Sequence, residues 1–275
     1  MPGIKDLQGK VVVITGGGSG IGRATAHAFA REGSKLVIAD INKERLDSVV
    51  KEIKELGMEV VGKVVDVSDK SQVEGLAKFT IETYGRVDVI HNNAGVGIGG
   101  PLELFPLEDW ERIVGINFWS VVYGVKYFLP HMIEQRSGHI VNTSSSAGYC
   151  GIPALGAYTA TKHAILGLSD VLRAEVRRYN IGVSTICPGV INTNIVRDGK
   201  QTLLPSAKLD QGKMAAFYEK YGWPPERVAK AVIKAVRKNK SIVPVGPEAW
   251  LQWYMKRASQ FAYDLFLRIS VKTAW

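Results

Sequence analysis

Short apolar runs recur along the chain near residues 10–15, 35–40, 59–66, 87–91, 138–144, 182–187 and 241–244. The first, Lys10-Val11-Val12-Val13-Ile14-Thr15, is β-branched and continuous, the pattern of a strand buried on both faces. The segments between the runs read as helices. Arg23 to Glu32 carries Ala24, Ala26, Ala28, Phe29 and Ala30, and Tyr158 to Tyr179 forms another. Asn42 to Leu56, with Lys43, Glu44, Lys51, Glu52, Lys54 and Glu55, reads as a helix with a solvated outer face. Alternating strand and helix predicts an α/β fold: a doubly wound parallel β-sheet with helices on both faces, whose ligands bind at the carboxyl ends of the strands. No internal repeat, low-complexity tract or linker interrupts residues 1–275, so one domain is expected, with a lid over about 190–225 and an amphipathic tail over about 247–275.

The first strand runs directly into Gly16-Gly17-Gly18-Ser19-Gly20-Ile21-Gly22, and a helix follows. In that context glycines let the backbone turn sharply and bring amides and a helix N-terminus to a pyrophosphate. The second strand, Lys35 to Asp40, ends in an acid eighteen residues after Gly22, where a dinucleotide fold places a carboxylate on the adenosine ribose. A carboxylate there repels a 2′-phosphate. The next residue is Ile41, while Arg23 and Lys43 read as solvated charges, so NAD is expected over NADP. Asp40 could also serve as the N-cap of the helix that starts near Asn42.

Tyr158 and Lys162 stand four residues apart, and Ser145 lies thirteen residues before the tyrosine. On a helix that spacing puts phenol and ammonium on one face, one turn apart. A buried cation so placed is expected to favour the phenolate and lower a pKa ordinarily near ~10. A tyrosine that exchanges its proton near neutral pH is a general acid/base for an alcohol or ketone.

Taken together, Thr15-Gly16-x-x-x-Gly20-x-Gly22, Asp66-Val67, Asn92-Asn93-Ala94-Gly95, Asn117, Ser145, Tyr158-x-x-x-Lys162 and Pro188-Gly189 with Thr193 resemble the short, single-domain branch of the short-chain dehydrogenase/reductase family, from about Leu7 to about Val245. The resemblance implies a Rossmann-like fold and an NAD-dependent oxidoreductase that interconverts a secondary alcohol and a ketone without a metal. It implies that Tyr158 is the acid/base, that Ser145 orients the substrate oxygen, and that Lys162 holds the nicotinamide ribose. It gives Asn117 a water on a proton path to Lys162. By the same resemblance Gly16, Ser19, Gly20, Ile21 and Gly22 cradle phosphate, Asp66 meets the adenine amino group and Val67 packs on the ring. Asn93, Ala94 and Gly95 approach the adenosine, Pro188 and Gly189 end a strand beside the cofactor, and Thr193 binds the carboxamide. Ser144 and Ser146 read as plain strand-end residues, and Asn92 as either a strand tie or a ligand contact. Two other readings stay open: a non-catalytic NAD-sensing scaffold, and an epimerase or dehydratase of the longer sugar-nucleotide branch.

Composition changes this picture little. Cys150 and Cys187 have no metal-type spacing, so neither a zinc site nor a disulfide framework is expected. Met1 to Gln8 lacks a signal-peptide core and no run of eighteen apolar residues occurs, which gives a cytoplasmic protein as the expectation. A net charge of +9 favours anionic partners, but no nucleic-acid module is visible. Ile191, Ile195, Leu203, Leu204, Phe217, Tyr218, Tyr221 and Trp223 suggest an apolar pocket for a lipophilic alcohol or ketone. In the tail, Trp250, Leu251, Trp253, Tyr254, Phe261, Tyr263 and Phe266 are interleaved with Lys256, Arg257 and Arg268. That pattern predicts packing on the domain or a contact within a homo-oligomer, dimer or tetramer. Peripheral attachment to a membrane surface comes second.

Overall fold

The central strands bury side chains on both faces of the sheet and so require cover on two sides, which the architecture supplies. In the computed structural model, which describes residues 3–201 and 211–274, the elements follow in chain order. They are β1 (Val11–Thr15), α1 (Gly20–Arg31), β2 (Lys35–Asp40), α2 (Lys43–Glu55), β3 (Val60–Val64), α3 (Lys70–Tyr84), β4 (Val89–Asn92) and β5 (Ile98–Gly99). Then come α4 (Leu107–Val114), α5 (Ser120–Gln135), β6 (Gly138–Thr143), α6 (Gly156–Val176) and β7 (Ile181–Pro188). The series ends with β8 (Lys200–Gln201), α7 (Gln211–Tyr221), α8 (Pro225–Lys238), β9 (Ile242–Val245), α9 (Pro247–Ala258) and α10 (Gln260–Ala274). All seven expected strands form one parallel sheet in the order β3-β2-β1-β4-β6-β7-β9. The order reverses direction between β1 and β4, which is where such a sheet opens a crevice at its carboxyl edge.

One core joins the sheet to α1, α2 and α8 through Phe29, Leu46, Ile53, Val228 and Val232. The other joins it to α3, α5 and α6 through Leu76, Phe128, Met132 and Leu172. Phe29 and Phe128 are fully buried, so truncating either to alanine would cost about 3–5 kcal/mol. The two-residue strands β5 and β8 pair only with each other and were not expected from the sequence. Two residues are too few to show a period.

Local chemistry sets the element ends. Asn42, not Asp40, caps α2: its side-chain oxygen accepts the Arg45 N–H at 2.9 Å. Strand β3 stops at Val64, and Asp66 closes the next turn by accepting the Ser68 N–H (2.9 Å) and hydroxyl (2.6 Å). The tail packs in part on the body. Tyr263 is buried in a cluster with Tyr149, Cys150 and Cys187, and Trp253, Phe266 and Leu267 pack against it. Its outer side leaves Trp250, Leu251, Phe261, Leu265 and Ile269 exposed. No helix among the described residues is long and apolar enough to cross a membrane.

Candidate active site

The crevice at the reversal point has two halves. One, with about 1220 Å³ of open space including its mouth, is lined by Gly16, Ser19, Gly20, Asp40, Asp66 and Val67. The other, of about 1120 Å³, is lined by Ser145, Tyr158, Lys162, Pro188, Gly189 and further residues. Ile21, Asn93, Gly95, Thr193 and Ile195 line both, so the halves are continuous.

The glycine turn is held from β4. The Thr15 hydroxyl accepts the Asn93 N–H at 3.0 Å and the Ala94 N–H at 3.2 Å, and Asn93 Nδ2 donates to the Thr15 carbonyl at 3.0 Å. Asn93 thus braces the turn as well as lining the crevice, and Ala94 lines the first half. Gly20 opens α1 at φ +50, a conformation that disfavours a side chain, and a Cβ there would press on Thr193. Gly22 reaches neither half; a Cβ on it would overlap the Gly16 carbonyl, so its role is the close packing of α1 on the turn. Ser19 makes no side-chain capping bond at the start of α1, which leaves the first-turn amides for another acceptor.

Asp40 Oδ2 accepts the Gly18 N–H at 2.8 Å and Oδ1 accepts the Asn42 N–H at 2.9 Å, which fixes the carboxylate at the rim of the first half. The two cations weighed from sequence are elsewhere: Arg23 pairs with Glu52 at 2.7 Å, and Lys43 pairs with Asp47. The arginine that does line this half is Arg45, which sequence reasoning missed. Its guanidinium is bound to Asp198 at 2.5 Å, from the loop after β7, and that partner raises its pKa further.

Ser145, Tyr158 and Lys162 come together at the floor of the second half. Ser145 sits just beyond β6, where its hydroxyl lies 3.4 Å from the Pro188 carbonyl and accepts the Ala147 N–H at 3.2 Å. Its hydroxyl lies close enough to the Tyr158 phenol to act on its ionisation. Ser144 binds inward to the Lys162 carbonyl at 2.7 Å, and Ser146 lines the crevice beside Ser145. Lys162 is buried, with Nζ 5.5 Å from the centre of the Tyr158 ring, and it donates to the Thr143 carbonyl at 3.1 Å. Burial lowers its pKa to about 8.

The expected acidic phenol is not what the protein alone presents. Burial pushes the Tyr158 pKa up, and the opposing influence of the nearby Ser145 hydroxyl does not cancel it. The Lys162 ammonium is committed to Thr143 rather than to the phenol oxygen, and desolvation disfavours the charged form of both groups. The Tyr158 ring nonetheless stays partly open to the crevice.

Asn117 lines neither half. It lies in a single π-helical turn (Gly115–Trp119), and its amide group pairs with both backbone groups of Val96, at 2.8 and 3.0 Å. That turn stands against Gly95: a Cβ there would lie 3.3 Å from Asn117 Oδ1 and 3.5 Å from Lys162 Nζ. Asn92 ties strands together, donating to Asn142 at 2.9 Å.

Ile152, Leu155, Val190, Ile195, Met214 and Tyr218 give the second half apolar walls. Trp223 anchors the base of the lid by bonds to Val190 and Asn192, both at 2.9 Å. Leu203 and Leu204, also expected in the lid, lie outside the described residues. Two polar wall residues come from α9, Glu248 and Gln252. Sequence reasoning passed over them, although Glu248 follows the carboxyl end of β9, the edge where ligands of this architecture bind.

Comparison with known proteins agrees with this geometry. Residues 10–203 match the short chain dehydrogenase family model. "Probable oxidoreductase EphD" of Mycobacterium tuberculosis H37Rv is 39% identical over 266 residues, 95% of this chain but 45% of that protein. The chain therefore spans about half the length of this curated relative. A short-chain dehydrogenase/reductase from Burkholderia phymatum, solved in complex with NAD, superposes with a TM-score of 0.83 at 34% identity, covering 92% of this chain and 94% of that one. Levodione reductase superposes with a TM-score of 0.79 at 35% identity, covering 88% and 98%. The sheet order thus belongs to a known architecture, and the chain is a member of the short-chain dehydrogenase/reductase family.

Proposed function

We propose that the protein is an NAD-dependent oxidoreductase that interconverts a lipophilic secondary alcohol and its ketone, with Tyr158 as the general acid/base. The observation that carries this reading is the convergence of Ser145, Tyr158 and, one turn from the tyrosine, the buried Lys162 on one largely apolar chamber.

The residues of the first half suit a dinucleotide. The first turn of α1 and the glycine turn offer amides to a pyrophosphate, and Gly20 keeps that surface clear of a side chain. Asp40 suits the two ribose hydroxyls and opposes a 2′-phosphate, which favours NAD over NADP. Asp66 and Val67, which line the first half, suit an adenine; Gly95 and Thr193 line both halves, and Pro188 and Gly189 line the second. When bound, the nicotinamide supplies the hydride donor or acceptor.

The chain's own groups handle the proton. Ser145 and Tyr158 hold the substrate oxygen between two hydroxyls, where developing negative charge is stabilised. In ketone reduction the phenol, kept protonated by burial, donates to that oxygen. In alcohol oxidation the phenolate, formed by prior loss of the phenol's proton and favoured by the nearby positive charge of Lys162, accepts the alcohol's proton. Asn117 fixes the Gly95–Val96 segment beside Lys162, which keeps that charge in place. The apolar walls select the lipophilic body.

The test is Tyr158→Phe. Turnover of a panel of alcohols and ketones should fall by about 10²–10⁴-fold, while NAD affinity by calorimetry changes little. Wild-type turnover in that variant would refute the mechanism.

A further inference from the structure

The substrate half of the crevice is apolar on most sides, yet one wall carries a carboxylate and an amide with no assigned work. Both come from α9, one turn apart on the same face, beyond the last strand of the sheet. Glu248 leans over the end of β7. Its Oε1 accepts the Val190 N–H at 2.8 Å, and a Cβ on Gly189 would overlap it, so the carboxylate lies against the Pro188-Gly189-Val190 turn. That bond occupies one of the roughly four acceptor positions that a carboxylate offers. Its negative charge reaches the neighbouring phenols, helping to raise the pKa of both Tyr149 and Tyr218. Gln252 also lines the chamber, and its side-chain oxygen is buried with no hydrogen-bond partner among the described residues. A buried acceptor without a donor is unfavourable, and a ligand that brings an N–H or O–H satisfies it.

Neither residue touches the half that holds Asp40 and Asp66; both line the half that holds Ser145 and Tyr158. A ketone whose oxygen sits on Ser145 and Tyr158 therefore finds apolar walls around its body and acceptors on the α9 side. The geometry points to Glu248 and Gln252 as specificity-determining residues for a ketone or secondary alcohol that carries a second, hydrogen-bond-donating group, a hydroxyl or an amine, and that carries no carboxylate. The inference rests on the alcohol–ketone reading above. It adds a polar requirement to a substrate otherwise defined only as lipophilic. A site that accepts from a substrate hydroxyl rejects the analogue without it, because its own polar atoms are then left unpaired.

The experiment uses the full chain and two scaffolds with different distances between carbonyl and substituent. One set is 4-phenylbutan-2-one with its para-hydroxy and para-carboxy derivatives. The other is cyclohexanone with 4-hydroxycyclohexanone and 4-oxocyclohexanecarboxylate. Reduction of each is followed with NADH, and binding of each to the NADH-loaded protein is followed by calorimetry. On at least one scaffold the hydroxylated member should exceed its parent by about tenfold in kcat/KM and in affinity, and the carboxylate should fall below the parent. In Gln252→Leu the hydroxyl advantage should shrink to less than about twofold. In Glu248→Gln, which keeps an oxygen for the Val190 N–H, the carboxylate should recover toward the parent. Equal binding of hydroxylated and parent ketones on both scaffolds would overturn the inference, as would a hydroxyl preference unchanged in both variants. Failure of the proposed function has a different signature: no member is reduced, while calorimetry still reports whether the hydroxylated ketones bind more tightly.

Discussion

Lys162 donates its ammonium to the Thr143 backbone carbonyl at 3.1 Å, a bond that crosses from α6 to the end of β6. The charge is thereby held beneath the crevice at the expense of solvation, and its pKa falls to about 8. The direction of that shift says the folded protein disfavours the charged amine. Removing it should stabilise the fold while disabling the site. Lys162→Met is expected to raise the melting temperature by a few degrees, roughly 1–3 kcal/mol, and to lower turnover by about 10²-fold or more. Differential scanning calorimetry beside a steady-state assay checks both; a variant that is less stable would refute the first expectation.

Two buried histidines make the fold sensitive to acid. His91 bonds the Thr143 hydroxyl at 2.8 Å and His139 bonds the Ser184 hydroxyl at 2.8 Å, and burial lowers each pKa to about 3. In the unfolded chain both titrate near ~6.5. Between those values the unfolded state binds more protons, so stability is full above about pH 6.5 and declines as the pH falls toward 3. Each histidine contributes a slope of about 1.4 kcal/mol per pH unit in that window. Melting temperatures at pH 7, 6, 5 and 4 should fall progressively, and the slope should be smaller in His139→Gln.

Asp40, Arg45 and Asp198 all line the first half of the crevice, the proposed place of the cofactor's adenosine. Asp40→Ser removes the repulsion and should raise the ratio of NADP to NAD in kcat/KM by about tenfold or more. Adding Asp198→Asn frees the guanidinium from its partner and should raise the ratio again. Parallel assays with the two cofactors settle it; an unchanged ratio in the double variant would show that these charges do not select the cofactor.

The tail is fastened through Tyr263, whose hydroxyl accepts the Gly151 N–H at 2.7 Å beneath the Lys256 ammonium, 5.0 Å from the ring centre. Tyr263→Phe leaves that amide without its acceptor and should cost about 1–3 kcal/mol. Denaturant unfolding measures the loss. Because Gly151 adjoins the crevice residue Ile152, a rise in KM is also expected.

Much of this molecule was legible as pattern. Short apolar runs suit strands covered on both faces, and seven strand segments with helices between them favour the doubly wound arrangement. Motif order along the chain placed Ser145, Tyr158 and Lys162 at one strand edge, and all three line one chamber. Periodicity failed only where there is no period to read, at β5 and β8.

Other properties depend on what surrounds a side chain, which no spacing encodes. The sequence put an ammonium one turn from a phenol, but the fold decided that burial of both outweighs their mutual attraction and that Thr143 receives the ammonium. Asn117 could be named from its position, while its pairing with Val96 required a loop twenty-one residues away to come alongside. Arg45, Asp198, Glu248 and Gln252 belong to no local pattern, because each meets its partner or its cavity only when distant elements converge. The sequence by itself determined the sheet and its crevice, since these follow from local hydrophobicity and turn chemistry, and its motif spacing named the residues proposed to react. The tertiary structure alone decided protonation and the polar wall of the chamber, since desolvation and contact are properties of the assembled chain.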